Sequence, residues 1–125
     1  FRRPPGDVAA QARGVGRESA RIALDDAQRD GNFCFIGEIG EKVAGYCRFD
    51  LKDDKYLISV AVASSMHGRG IATFLLGQSI KQLNTKKSIH AEIRRHNIAS
   101  AKMLERNDFK KISEDKENFY YQLKN

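Results

Sequence analysis

Between Val60 and Thr73 a nearly apolar run, Val60-Ala61-Val62-Ala63, leads through Ser64-Ser65-Met66 into His67-Gly68-Arg69-Gly70 and on to Ile71-Ala72-Thr73. Gly68 and Gly70 let the backbone approach a ligand and adopt positive φ. Where a helix starts after such a turn, its first free N–H groups point outward at the positive end of the helix dipole. That geometry binds phosphate or pyrophosphate. A plain strand-to-helix turn, with glycine used only for compactness, is the alternative that the spacing leaves open. A Walker loop needs Gly-x-x-x-x-Gly-Lys-Ser/Thr, which the chain lacks. A dinucleotide fingerprint needs a third Gly or Ala where Thr73 stands, so that reading fails as well.

The other chemistry-bearing residues are sparse. His67, His90 and His96 have no metal-ligand spacing, and there is no Cys-x-x-Cys, so no metal is expected. Two cysteines cannot build a disulfide framework, and two buried thiols in a cytoplasmic protein are the expectation for Cys34 and Cys47. Residues 1–62 carry ten Lys/Arg and ten Asp/Glu, whereas residues 63–125 carry twelve against six. The whole net charge of +6 therefore lies in the second half. A basic surface of that kind suits nucleic acid, acidic lipid or a phosphorylated cofactor, or serves solubility alone.

These residues must be positioned by one small domain, residues 1–125, since 125 residues leave room for a single core. No apolar run approaches the roughly 20 residues of a membrane-spanning helix. The chain begins at Phe1 rather than Met, as a trimmed chain would, and Phe1-Arg2-Arg3-Pro4-Pro5 lacks the apolar core of a signal peptide. Composition predicts a helix over 17–29, rich in helix formers, stopped by Gly31-Asn32. Two β-prone runs, 33–39 and 42–49, flank Gly40-Glu41 as a hairpin. If the hairpin closes symmetrically, Cys34 faces Cys47. A third strand covers 56–63 and is apolar enough to be central. Ile71, Leu75, Leu76, Ile80 and Leu83 recur at helical spacing, and Ser88–Arg94 is a strand. Asn97 caps a helix running to about Asn107, and strands at 109–112 and 119–123 close the chain. The order predicts an α/β fold with a mixed sheet and a central strand–helix–strand unit.

Val62-Ala63-Ser64-Ser65-Met66-His67-Gly68-Arg69-Gly70-Ile71-Ala72 resembles the acetyl-CoA motif of the GNAT superfamily of N-acetyltransferases, Arg/Gln-x-x-Gly-x-Gly/Ala. His67 stands where that family usually has Arg or Gln, while Gly68, Arg69, Gly70 and Ala72 fit. Asn97-Ile98-Ala99-Ser100-Ala101-Lys102-Met103-Leu104-Glu105-Arg106-Asn107-Asp108-Phe109 resembles the family's second block, Asn-x-x-Ala/Ser … Gly-Phe. The resemblance covers about residues 33–125 and implies an acyl-CoA N-acyltransferase fold, here without a complete N-terminal strand.

It also implies roles. Val60, Ala61 and Val62 would present backbone groups to the pantetheine arm of acetyl-CoA, the co-substrate. The N–H groups of His67, Gly68, Arg69, Gly70, Ile71, Ala72 and Thr73 would hold its pyrophosphate. Asn97 would hydrogen-bond the pantetheine region, a role that can coexist with helix capping. Some members carry a Glu where Glu92 stands, as the general base that takes the amine's proton, and a solvated or ion-paired strand carboxylate is the alternative. The usual acid for the leaving thiolate is a Tyr at the position of Leu104. Leucine donates no proton, and Tyr120 and Tyr121 are either donors or core residues. Asp108 replaces the family's Gly before Phe109, in a turn that Asp or Asn107 can adopt.

The implied activity is acetyl transfer to a primary amine of a small molecule, an amino sugar or a protein. Its competitors are a GNAT-like domain that binds acetyl-CoA without turnover and a basic nucleic-acid module. The latter lacks aromatic interleaving, since the cations from Arg94 to Lys111 enclose only Phe109. A homodimer is one oligomeric state left open.

Overall fold

Alternation of burial, more than helix propensity, decides the N-terminal half. The computed structural model describes residues 6–8, 20–25, 31–68 and 70–125. In β2 (Ala20–Leu24), Ala20, Ile22 and Leu24 are buried while Arg21 and Ala23 are partly exposed. This overturns the helix expected over 17–29, because a period of two places these apolar residues on the core and a helical period does not. Residues 17–19 and 26–29 of that expectation lie outside the described residues.

β2 joins β1 (Gly6–Val8), β3 (Phe33–Ile39), β4 (Lys42–Lys52), β5 (Lys55–Val62), β6 (Ile89–Arg94), β7 (Lys110–Glu114) and β8 (Asn118–Leu123) in one sheet. The spatial order among the described residues is β1-β2-β3-β4-β5-β6-β8-β7, with only β5 and β6 parallel. This is the mixed sheet expected, and among the described residues its first strand spans Gly6–Val8. No helix of the described residues is long and apolar enough to cross a membrane.

The β3–β4 hairpin turns at Gly40-Glu41, with Gly40 at φ 62°. Pairing starts symmetrically, Ile39 to Lys42 and Glu38 to Val43, but the next pair is Gly37 to Gly45. Ala44 is the extra residue of a β-bulge. The slip of one sets Cys47 opposite Phe35 and Cys34 opposite Arg48. A one-residue slip moves a side chain to the other face. Cys34 and Cys47 therefore do not face each other; both are free, Cys47 buried and Cys34 half-buried.

Register assigns two faces. Phe35, Phe49, Tyr56, Ile89, Ala91 and Tyr121 point one way, into a core closed by α1 (Ile71–Leu83) and α2 (Ile98–Arg106) through Leu75, Leu76, Met103 and Leu104. Phe49 packs edge-to-face against both Phe35 and Tyr56. The other face carries Arg21, Glu38, Tyr46, Arg48, Leu57, Ser59, His90, Glu92 and Tyr120. Ion pairs Arg21–Glu38 and Arg48–Asp50 lie on it.

Candidate active site

The parallel pair β5–β6 is joined only at Tyr56–Ile89 and Leu57–His90. Beyond them the strands diverge, and a slot opens between the C-terminal half of β5 and the residues after His90. Backbone groups of β5 that would continue the ladder there have no strand partner among the described residues, while β4 pairs β5 on its other side out to Val62. Such groups seek another partner.

At the end of β5 the chain makes one 3₁₀ turn, Ser64–Met66, and reaches two left-handed glycines, Gly68 at φ 78° and Gly70 at φ 72°. Gly70 caps α1 without any side chain to occupy the helix start. The first helical bond is Phe74 N–H to the Gly70 carbonyl at 3.1 Å, so the N–H groups of Ile71, Ala72 and Thr73 are left free by the helix. A Cβ at Gly68 would meet nothing within 4 Å, so the backbone here faces open space. The His67 Nε2–H donates to the Val62 carbonyl at 2.8 Å. A carbonyl only accepts, which fixes the proton on Nε2.

The second wall is α2. Asn97 Oδ1 accepts the Ser100 N–H at 3.1 Å, the N-cap expected of it, and its amide NH₂ remains available. The corner between β6 and α2 is fastened from outside. Arg95 bonds Glu114 at 2.7 Å and the Asp115 carbonyl at 2.7 Å, and both Arg95 and Lys111 lie over the Phe119 ring. These two cations hold the Glu114 carboxyl below its ordinary pKa, Lys111 most strongly.

Together these elements enclose a cavity of about 590 Å³. Of the residues expected to bind cofactor, Val60, Val62, His67, Gly68, Gly70, Ile71, Ala72, Thr73 and Asn97 line it. Ala61 points to the opposite face of the sheet, and Arg69 lies outside the described residues. Lining residues that sequence reasoning missed are Ile98, Ala99, Ser100, Lys102, Met103 and Arg106 on α2. Their signal was the i, i+4 spacing of Lys102 and Arg106, which puts both cations on one helix face.

Glu92 is not in the cavity. It is exposed on the opposite face, across from Tyr120 and two residues beyond the last β5–β6 pair. Among the described residues it has no hydrogen bond or ion pair. Neither tyrosine reaches the cavity. The Tyr120 hydroxyl donates to Asp115 at 2.6 Å, which raises its pKa, and the buried Tyr121 donates to Glu105 at 3.1 Å. Leu104 is fully buried in the core. Asp108 adopts φ 68°, the left-handed turn expected at the family's glycine. His90, whose imidazole is held toward its neutral form by burial and by Lys55, contacts Ser88 and Gln122. Among the described residues no group of three His, Cys, Asp or Glu could hold a metal ion.

The cavity's surfaces fit an acyl-coenzyme A. Free N–H groups stand beside an open glycine, a sheet slot offers unpaired backbone, and among the described residues no carboxylate lines the wall. N-acetyltransferase PseH from Campylobacter jejuni, solved with acetyl coenzyme A, has 21% identity and a TM-score of 0.66 over 78% of this chain and 70% of its own. A ribosomal-protein-alanine N-acetyltransferase from Brucella melitensis has 23% identity and a TM-score of 0.67 over 76% of this chain and 70% of its own. Spermidine N-acetyltransferase from Vibrio cholerae, with CoA and spermine, has 13% identity and a TM-score of 0.65 over 75% and 66%. No curated protein sequence matches the chain significantly. At these identities the neighbours share the fold. The sequence model of the acetyltransferase (GNAT) family, however, matches residues 7–109 directly. With the glycine turn, the splayed strands and the second helix in place, the chain belongs to the GNAT family of acetyltransferases, whose co-substrate is acetyl-CoA.

Proposed function

We propose that the chain acts as one N-acetyltransferase domain that moves an acetyl group from acetyl-CoA to the primary amine of a small molecule or amino sugar, by direct attack with Glu92 as general base. The observation that carries this reading is the slot between β5 and β6. The helix-side cavity lies against it, and Glu92 stands at its edge on the other face.

Acetyl-CoA supplies an acetyl group activated as a thioester. The backbone from His67 to Thr73 holds the pyrophosphate, and the unpaired edge of β5 at Val60–Val62 binds the pantetheine arm. The Asn97 NH₂ donates to the same arm while its Oδ1 keeps the helix capped. Glu92, which has no ion pair among the described residues, accepts the proton of an amine arriving on the open face. Leu104 supplies no acid, so the departing sulfur is protonated by water. Two free thiols suit a reducing, cytoplasmic setting.

Thiol release from acetyl-CoA against a panel of amines and amino sugars, with mass detection of the product, tests the reading. Sustained turnover with an acetylated product supports it. The burial of Leu104 favours one other reading, a domain that binds acetyl-CoA without turnover. Tight binding with no turnover on any amine would establish that one instead.

A further inference from the structure

Lys102 and Arg106 line the cavity four residues apart on α2, and neither has an ion-pair or hydrogen-bond partner among the described residues. Nearby cations are already engaged, Arg94 with Glu117 at 3.0 Å and Arg95 with Glu114 at 2.7 Å. Two unpaired cations in a wall whose described residues include no carboxylate leave a positive potential inside the cavity.

Their position is set by Asn107. Its Nδ2 donates to the Met103 carbonyl at 3.0 Å and to the Thr73 carbonyl at 3.2 Å, pinning the C-terminal end of α2 to the first turn of α1. Gly77 gives the space, since a Cβ there would come within 2.8 Å of Asn107 Oδ1. Arg106, the neighbour of Asn107, thus stands beside the free N–H groups of α1. Asn97 lies at the other end of α2, roughly 13 Å away at about 1.5 Å per residue. The cavity is therefore polarised along α2, with an amide at one end and a cation pair beside the pyrophosphate site at the other.

Resting on the acetyl-CoA reading, we infer that Lys102 and Arg106 form a subsite for the phosphate monoester on the ribose of coenzyme A, and so select coenzyme A over its dephospho form. A monoester dianion is the group such a pair recognises. Arg offers a planar fork to two of its oxygens, and Lys adds a mobile point charge.

Titration calorimetry with coenzyme A and with dephospho-coenzyme A tests this without any need for turnover. The wild-type chain should bind coenzyme A tighter by roughly 10- to 100-fold, the worth of charge-assisted hydrogen bonds to one group. Arg106→Gln should collapse most of that ratio, and Lys102→Gln part of it, because both act on coenzyme A far more than on the dephospho ligand. Salt should narrow the wild-type ratio. Equal wild-type affinity for the two ligands would overturn the subsite while leaving the cofactor reading intact. A ratio unchanged in both variants would overturn its assignment to these residues. Absence of binding by either ligand would instead overturn the cofactor reading on which the subsite rests.

Discussion

The imidazole of His67 spans the turn that follows β5 and donates to the Val62 carbonyl at 2.8 Å. Val62 is the last residue of β5, and Gly68 and Gly70 lie just past the imidazole. The bond closes the turn on itself, so the N–H groups at the start of α1 are aimed before any ligand arrives. A His in place of the family's Arg or Gln is compatible with that work, because each of the three side chains can donate to a carbonyl.

His67→Ala should therefore weaken acetyl-CoA binding by about 2- to 10-fold, the worth of one neutral hydrogen bond. His67→Gln should recover most of the loss. Calorimetric titration of both variants checks this, and equal affinity in all three proteins would show that the turn is held by its backbone alone.

Gly45 faces Val62 across β4 and β5, and a Cβ there would fall 2.2 Å from the Ala61 carbonyl oxygen. Backbone cannot yield as a side-chain tip does. Gly45→Ala should lower unfolding stability by about 1–3 kcal/mol, as overpacking does, and also weaken acetyl-CoA binding by displacing the end of β5. Urea denaturation and titration measure the two effects; an unaltered midpoint would contradict the close approach.

The glycine turn between β5 and α1 was legible because one short stretch carries all of its cues, an apolar strand, two glycines and a helix with apolar residues at helical spacing. Asn97 and Asp108 were legible for the same local reason. The hairpin register was not, because the bulge at Ala44 answers to packing and leaves no mark in the order of residue types. Ala20, Ile22 and Leu24 did alternate in sequence, but three alanines and many charges in the same segment outweighed that alternation. The cavity-facing cations of α2 could be placed only once Asn107 was seen to tie α2 to α1.

Cys47 lies in the core, where burial pushes its thiol up to about 12 from the ordinary 9.0. The Ser79 hydroxyl opposes that rise. Between those values the folded chain keeps a proton that the unfolded chain releases, so stability falls as pH climbs from about 9 toward about 12. Burial and Glu105 raise Tyr121 in the same direction. Urea midpoints compared between about pH 8 and about pH 10 should drop further in wild type than in Cys47→Ala. Parallel drops would remove Cys47 as a cause.

Turnover of Glu92→Gln on the best acceptor, read as thiol release beside the wild type, bears most directly on the central claim. The substitution keeps shape and hydrogen bonding but removes the base. Wild type should turn over steadily and the variant should be slower by roughly 10²–10⁴, the usual worth of a general base, with acetyl-CoA affinity unchanged. The residual rate should rise with pH toward the amine's own pKa, where neutral acceptor accumulates. A wild type that releases no thiol with any amine, or a variant that keeps at least about half of wild-type turnover where the loss of a base costs far more, would contradict the account.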